Sequence, residues 1–489
     1  MARRRSIITI PSLGGIDREG RRPGRRLTQG LRQAIVNGEL KPGERLPSTR
    51  TLAASLNLAR GTVVEAFEQL RAEGYLETRP RGGTIIVDVR GKQEQVSPRA
   101  SLGEAPAPLL PKNVARLEGV AEELKPLPSL PFLIAHPAGA VAPDDKWRRL
   151  SNWARAARVS APSGYSDPRG ILELRTAIAE YVRKSRGVIC EPEQIIVTNG
   201  TQQGLFLAAT VLLSAGDTVW SEEPAYPGIL AVLGNFDVTA FRIPVDDQGL
   251  QVDVGIGLQQ SAKVAFVTPS HQYPLGMPMS MQRRMALLAW ARSNNAWVVE
   301  DDYDSEFRYA GHPFPALQGI DPSRVIYLGT MSKVMFSSMR IGYLIAPPAL
   351  VKAFAGAHSL VDRHSPTADQ HVLARYMREG YFEAHIRRIR SIYVERRAVL
   401  LDAVDKELAH LVTVQSSDQG MHILLWLADG ISDVSIANHA LQEQVVVRPI
   451  SPMYASNPRS GLMLGFGGFT ADEIWHAVKR LRSIIELHR

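Results

Sequence analysis

The chain holds a single cysteine, Cys190, in 489 residues. An internal disulfide is excluded, and a metal centre built on thiolates has no ligand set to draw on. Long apolar runs are missing as well: no stretch approaches the roughly twenty apolar residues that a membrane span needs. The opening MARRRS lacks the apolar core and cleavage region of a secretory signal. These absences predict a cytoplasmic protein with no membrane partner and no metal. Excess charge of one sign is also absent from most of the chain. The formal net charge is +8, yet residues 1–90 hold 17 Lys and Arg against 9 Asp and Glu, so the remainder is balanced. Positive charge concentrated in a short N-terminal stretch predicts a polyanionic partner held by salt-dependent phosphate contacts.

The length exceeds what one ordinary core accommodates and predicts two or three domains. Leu27, Leu31, Ala34 and Ile35 recur at helical spacing between Arg26 and Asn37, and Gly38 closes that segment. Ser48 is placed to cap a second helix, Thr49 to Leu56. A third, Arg60 to Glu73, turns Val63, Val64, Phe67 and Leu70 inward and stops at Gly74. Two short strands follow, joined by RPRGG. Three helices and a basic hairpin make a winged helix-turn-helix over residues 20–90. The strings LPSTRTLAASLNLARGTVVEAFEQLRAEGYL and RPRGGTIIV resemble the winged-helix domain of GntR-type regulators. The resemblance implies that Arg50, Arg60, Thr62, Arg81 and Gly82 meet double-stranded DNA. Elementary chemistry agrees: arginine can bond guanine twice, and a wing glycine lets the backbone approach. Val64 stands where some members carry a further arginine, so no base preference carries over. Residues 91–128 mix Pro, Ala, Ser and charge without a sustained period, which is linker composition.

Residues 129–489 alternate apolar strand-like runs with helical stretches, the pattern of an α/β sheet covered on both faces. The runs QIIV, VAFV, AWVV and VIYL each end in polar residues. Ligands of open α/β sheets bind outside the carboxyl ends of strands, so these four ends point to one site. VIYL leads to Thr330-Met331-Ser332-Lys333, and AWVV to Glu300-Asp301-Asp302-Tyr303. A lysine, a carboxylate and a tyrosine so placed suit pyridoxal 5'-phosphate: the amine for a Schiff base, the carboxylate for the pyridine nitrogen, the phenol for the ring hydroxyl. Successive strand residues face opposite ways, so only one of Asp301 and Asp302 can face the site, and the register of the family resemblance described below implies that it is Asp301. Gly200-Thr201-Gln202 opens a helix after QIIV and offers backbone N–H groups to a phosphate, and Thr330, Ser332 and Arg340 add hydroxyls and a fixed cation. Tyr226 offers a ring to stack on the cofactor.

The segments SGYSDPRGILELRTAIAEYV, TNGTQQGL, EEPAYPG, TPSHQYPLG, EDDYDSEFRY and GTMSKVMFSSMRIGY resemble fold-type I aminotransferases, and the joined architecture resembles the MocR-type branch of GntR regulators. The resemblance implies that Lys333 carries the cofactor, Asp301 and Tyr303 meet its ring, Tyr226 stacks on it, and Thr201, Gln202, Thr330 and Arg340 serve its phosphate. It also implies a homodimer. Two departures stand out. Tyr273 replaces the asparagine usual before the proline of the NPTG-like loop, with His271 and Gln272 beside it. In LMLGFGGFTADEI, Gly468 is read at the place of the arginine that binds an amino acid's α-carboxylate, and Arg448 is the nearest substitute. The resulting expectation is a transcription regulator that binds DNA through its winged helix and senses pyridoxal phosphate or an amine effector. The alternative is an active aminotransferase with an appended DNA-binding head.

Overall fold

A computed structural model describes residues 23–79, 83–88, 110–111, 113–137, 144–157, 164–311, 314–415 and 417–489. The chain divides into two compact units, residues 1–110 and 111–489.

In the first unit, helices α1 (Pro23–Val36), α2 (Thr49–Leu56) and α3 (Arg60–Ala72) precede an antiparallel pair, β1 (Leu76–Arg79) and β2 (Gly83–Ile86). Leu27, Leu31, Leu52, Val63, Phe67, Leu70, Leu76 and Ile86 make one core. Val64 is only half-buried, and Ala66 takes the inward place instead, because 63, 66, 67 and 70 follow the helical period more closely. The Ser48 hydroxyl accepts from the Thr51 amide at 3.1 Å and caps α2 as expected. Arg32 of α1 donates to both carboxylate oxygens of Glu73, at 2.7 and 2.8 Å, and ties the first helix to the end of the third.

In the second unit the eight-stranded sheet has the order β3-β10-β9-β8-β7-β4-β5-β6. Its strands are β3 (Ile195–Thr198), β4 (Thr218–Glu223), β5 (Thr239–Asp246), β6 (Gly249–Leu250), β7 (Val264–Val267), β8 (Trp297–Asp302), β9 (Val325–Thr330) and β10 (Gly342–Ile345). The central run from β9 through β8, β7 and β4 to β5 is parallel, while β10 runs antiparallel between β9 and β3. The two-residue period splits each strand between two faces. Ile196, Ile326, Leu328 and Leu344 pack with Leu205 and Ala208 of the helix Thr201–Leu212, whereas Val197, Tyr327, Tyr343 and Ile345 join the core on the other side. A smaller antiparallel sheet, ordered β11-β12-β14-β13, follows: β11 (Val412–Val414), β12 (His422–Leu427), β13 (Arg448–Pro449) and β14 (Gly461–Gly465).

Within the stretch of linker composition, residues Val114–Glu123 form a helix, α4. None of its residues is buried, so it carries no apolar period that composition would reveal. Arg116 of α4 donates to Asn235 Oδ1 at 2.9 Å. Among the described residues, no helix is long and apolar enough to cross a membrane.

Arg284, in the helix Met281–Ser293, is wholly buried and donates to three backbone carbonyls: Met279 at 2.9 Å, Pro315 at 2.7 Å and Pro269 at 2.7 Å. It thereby fixes the loop after β7 that carries His271 and Tyr273. Replacing it by methionine, R284M, removes a donor from three buried carbonyls, of which that of Pro269 keeps the Met279 amide at 2.8 Å, and is expected to cost roughly 3 kcal/mol. A lowered urea midpoint for the second unit's transition checks this, with the first unit's transition as reference.

Candidate functional site

Four of the parallel strands end in polar residues on one side of the sheet, and a cavity of about 370 Å³ lies there. All ten residues read from the sequence as cofactor ligands line it: Gly200, Thr201, Gln202, Tyr226, Asp301, Tyr303, Thr330, Ser332, Lys333 and Arg340. They come from strand ends, a helix start and loops up to 140 residues apart in the chain, brought together because β3, β4, β8 and β9 terminate at the same edge.

The two adjacent aspartates of β8 part ways as the strand period requires. Asp302 points to the buried side, where Arg186 Nε donates to it at 2.7 Å and the Tyr327 hydroxyl at 2.6 Å. Asp301 faces the cavity, and its buried Oδ1 has no hydrogen-bond partner among the described residues. Burial pushes its carboxyl up to about 7, with Asp302 adding to the rise and Lys333 opposing it. A protonated ring nitrogen would give this orphaned oxygen a cationic donor.

Burial likewise pushes the Lys333 ammonium down to about 8, partly offset by Asp304 and Asp301 and reinforced by Arg340 and Arg448. An amine depressed this far is available as a nucleophile near neutral pH. Next to it, the Thr330 hydroxyl accepts from the Ser332 amide at 3.1 Å, and the Ser332 hydroxyl is buried without a partner among the described residues.

At the opposite wall, Gly200 caps the helix Thr201–Leu212 with no side chain of its own, leaving the first-turn amides facing the cavity. Its φ of +98° suits glycine, and a Cβ there would come within 3.0 Å of the Arg340 guanidinium. Arg340 Nη2 donates to the Asn199 carbonyl at 2.5 Å, which brings the cation to that helix start. Asn199 and Gln203 in turn donate to Asp362, at 2.8 and 3.0 Å, and hold the turn from behind.

Tyr303 belongs to a relay that the sequence did not reveal. His271 Nδ1 lies 2.9 Å from Asp304 Oδ2 and 2.9 Å from the Tyr303 hydroxyl. A carboxylate only accepts, so Nδ1 carries the proton and shares it with the phenol oxygen. The Tyr303 proton is then left to donate into the cavity. Tyr226 stands edge-on to Tyr273, with ring centroids 5.4 Å apart. Further wall residues were also missed: His422 of β12, whose protonation burial suppresses down to about 3, and Glu123 and Leu124 at the end of α4. They lie in a second sheet and in linker-like sequence, far from any strand-end pattern.

The place read for Gly468 differs in the structure. Gly468 lies beyond the end of β14, and a Cβ there would collide with the His136 ring at 1.9 Å. It is not part of the cavity wall, because the chain turns away after Gly465. Arg448, by contrast, lines the cavity.

In the first unit, Arg50 on α2 and Arg60 at the start of α3 are exposed and form no ion pair among the described residues. Thr62 is half-buried, in the first turn of the same helix. Arg81 and Gly82 lie outside the described residues. Arg45, not singled out by the sequence, sets its guanidinium against Gly83 at the base of the wing, where a Cβ would come within 2.5 Å of Nε.

Residues 138–481 match the family model of aminotransferase class I and II, and residues 23–86 that of bacterial regulatory proteins, gntR family. The probable rhizopine catabolism regulatory protein MocR of Rhizobium meliloti is 37% identical over 463 residues, 94% of this chain and 93% of its own. The HTH-type pyridoxine biosynthesis transcriptional regulator PdxR of Corynebacterium glutamicum is 33% identical, over 94% of this chain and 95% of its own. Among solved structures, kynurenine aminotransferase of Pyrococcus horikoshii, in complex with PMP, superposes with a TM-score of 0.68 at 28% identity, covering 78% of this chain and 95% of its own. LysN, the α-aminoadipate aminotransferase of Thermus thermophilus complexed with N-(5'-phosphopyridoxyl)-L-leucine, gives 0.70 at 25% identity, covering 77% and 97%. With relatives matched over more than nine-tenths of both chains and both family models present in one chain, the protein belongs to the MocR-type branch of GntR regulators, in which a winged-helix domain is joined to an aminotransferase class I and II domain.

Proposed function

We propose that the protein is a transcription regulator that binds DNA through Arg50, Arg60, Thr62 and the wing, and that its aminotransferase-like unit holds pyridoxal phosphate as ligand or as receptor for an amine effector. The observation that carries the cofactor half is the convergence of ten residues, read from the sequence by their chemistry and by the family resemblance, on one cavity with an orphaned carboxylate oxygen and a depressed lysine. The DNA half is supported by the concentration of excess positive charge in residues 1–90 and by the relatives named as regulators. Bound pyridoxal phosphate supplies a carbonyl open to amines and an electron-withdrawing ring.

The chain's own residues have separable tasks in this reading. Lys333 anchors the cofactor covalently. Asp301 holds the proton on the ring nitrogen, and Tyr303, oriented by His271 and Asp304, donates to the ring hydroxyl. The first-turn amides of the helix opened by Gly200, with Thr330, Ser332 and Arg340, bind the phosphate. Tyr226 covers a ring face. Sensing rather than turnover is the role we assign, in a cytoplasmic homodimer whose paired winged helices respond to what the cavities hold.

Three outcomes test this. Wild-type protein mixed with pyridoxal phosphate should show a visible absorption band and, after borohydride, a mass adduct on Lys333; K333A should show neither. A wild type without band or adduct would sink the cofactor assignment. The rate of cofactor uptake, followed by stopped-flow absorbance, should rise about tenfold per pH unit and level off above the lysine's value of about 8. A flat profile would mean that another group limits capture. On a duplex selected by the wild type from random sequence, R60A should bind about tenfold or more weakly, with a smaller salt dependence.

A further inference from the structure

The first unit holds more exposed arginine than its assigned DNA contacts use. Arg32 is tied to Glu73 at 2.7 Å and Arg79 lies 3.5 Å from Glu77, so both have carboxylate partners. Arg25, Arg26, Arg45, Arg50, Arg60 and Arg71 are exposed, and their side chains make no hydrogen bond or ion pair among the described residues. Arg50 and Arg60 are already assigned to DNA. The others separate by place. Arg25 and Arg26 stand in the first turn of α1, and that end of α1 lies against the start of α3: a Cβ on Gly24 would come 3.4 Å from Thr62 Cγ2. Glu65 is the acidic neighbour there, 3.9 Å from the same point, and it pairs with neither arginine. Arg45 precedes α2 on an extended stretch beside the wing, bridged antiparallel to Ile85 of β2, and the Leu46 amide donates to the Thr84 carbonyl at 2.9 Å. Its guanidinium fills the space that Gly83, at φ +81°, leaves at the root of the wing. Arg71 lies in the last turn of α3, roughly 16 Å along that helix from Arg60.

The unpaired cations other than Arg71 therefore border either the start of the recognition helix or the wing. A helix start that enters a groove has phosphates beside it, and a guanidinium with no carboxylate of its own is free to meet them. We infer that Arg25 and Arg26 of α1, and Arg45 beside the wing, are phosphate contacts that grip the DNA backbone at two places beside the recognition helix and add affinity without reading sequence. This rests on the DNA reading above and extends its interface to two elements that reading leaves out.

The test uses the full chain and a fluorescent duplex selected by the wild type from random sequence, with binding followed by anisotropy over a range of salt concentrations. R25Q/R26Q should flatten the slope of log affinity against log salt by about two and R45Q by about one, with a loss of about fivefold or more per arginine near physiological salt. The affinity ratio between the selected and a scrambled duplex should stay at the wild-type value, and R45K should keep the slope that R45Q loses. R71Q should match the wild type throughout. A wild-type slope in either R25Q/R26Q or R45Q overturns the inference, as does a changed ratio between the two duplexes. An equal loss in R71Q overturns it too, since net charge alone would then be felt. Should R45Q not fold, R25Q/R26Q decides alone. A wild type that binds no duplex overturns the DNA reading and this inference together, whereas weakened binding by R60A beside unchanged slopes in R25Q/R26Q and R45Q overturns this inference alone.

Discussion

The buried pair of Arg186 and Asp302, 2.7 Å apart, is the contact on which the site depends. Both side chains are almost wholly enclosed, so removing one would strand the other's charge in the interior. With Tyr327 as a further donor, the pair fixes the rotation of β8 about its axis. Because strand side chains alternate, pinning Asp302 to the underside leaves Asp301 no choice but the cavity. The raised pKa of the Asp301 carboxyl and the relay through Tyr303 depend on where β8 ends and which way it faces.

Around that fixed strand the site is assembled from two sheets with different tasks. The large sheet supplies the anchored groups: a helix start, a lysine, a carboxylate and a phenol held by second residues behind them, such as Asp362 behind Asn199 and Asp304 behind His271. Such supporting bonds confine the rotamers of the groups they touch. The small sheet supplies His422, which is buried with its Nε2 3.3 Å from the Pro274 carbonyl oxygen, and the half-buried Arg448. A division of this kind allows one part of the cavity to bind a common cofactor while another part discriminates among smaller molecules.

Much of this was legible in the sequence, for identifiable reasons. QIIV, VAFV, AWVV and VIYL became β3, β7, β8 and β9, because short apolar runs ending in polar residues have few other uses in an α/β sheet. That one of Asp301 and Asp302 faces the cavity followed from strand alternation, and which one from the register of the family resemblance. What sequence left obscure depends on contacts between distant segments. Nothing in TPSHQYPLG or EDDYD announces that His271 will lie between Asp304 and Tyr303. The edge strand β13 is two residues long, too short for any period, so Arg448 could be located only once its ladder partner was known. Gly468 was misplaced because a glycine-rich turn gives no register beyond the last strand residue. In α4, the lack of a buried face hid a helix inside linker-like composition.

That helix also matters to how the site is built. Its last residue, Glu123, and the following Leu124 are part of the cavity wall, and α4 is the first helix of the second unit. Read from the wing strand onward, the chain therefore reaches the cavity before it enters the large sheet. The covalent path from β2 to that wall is a few dozen residues long, so the segment that leaves the winged helix itself helps to enclose the site.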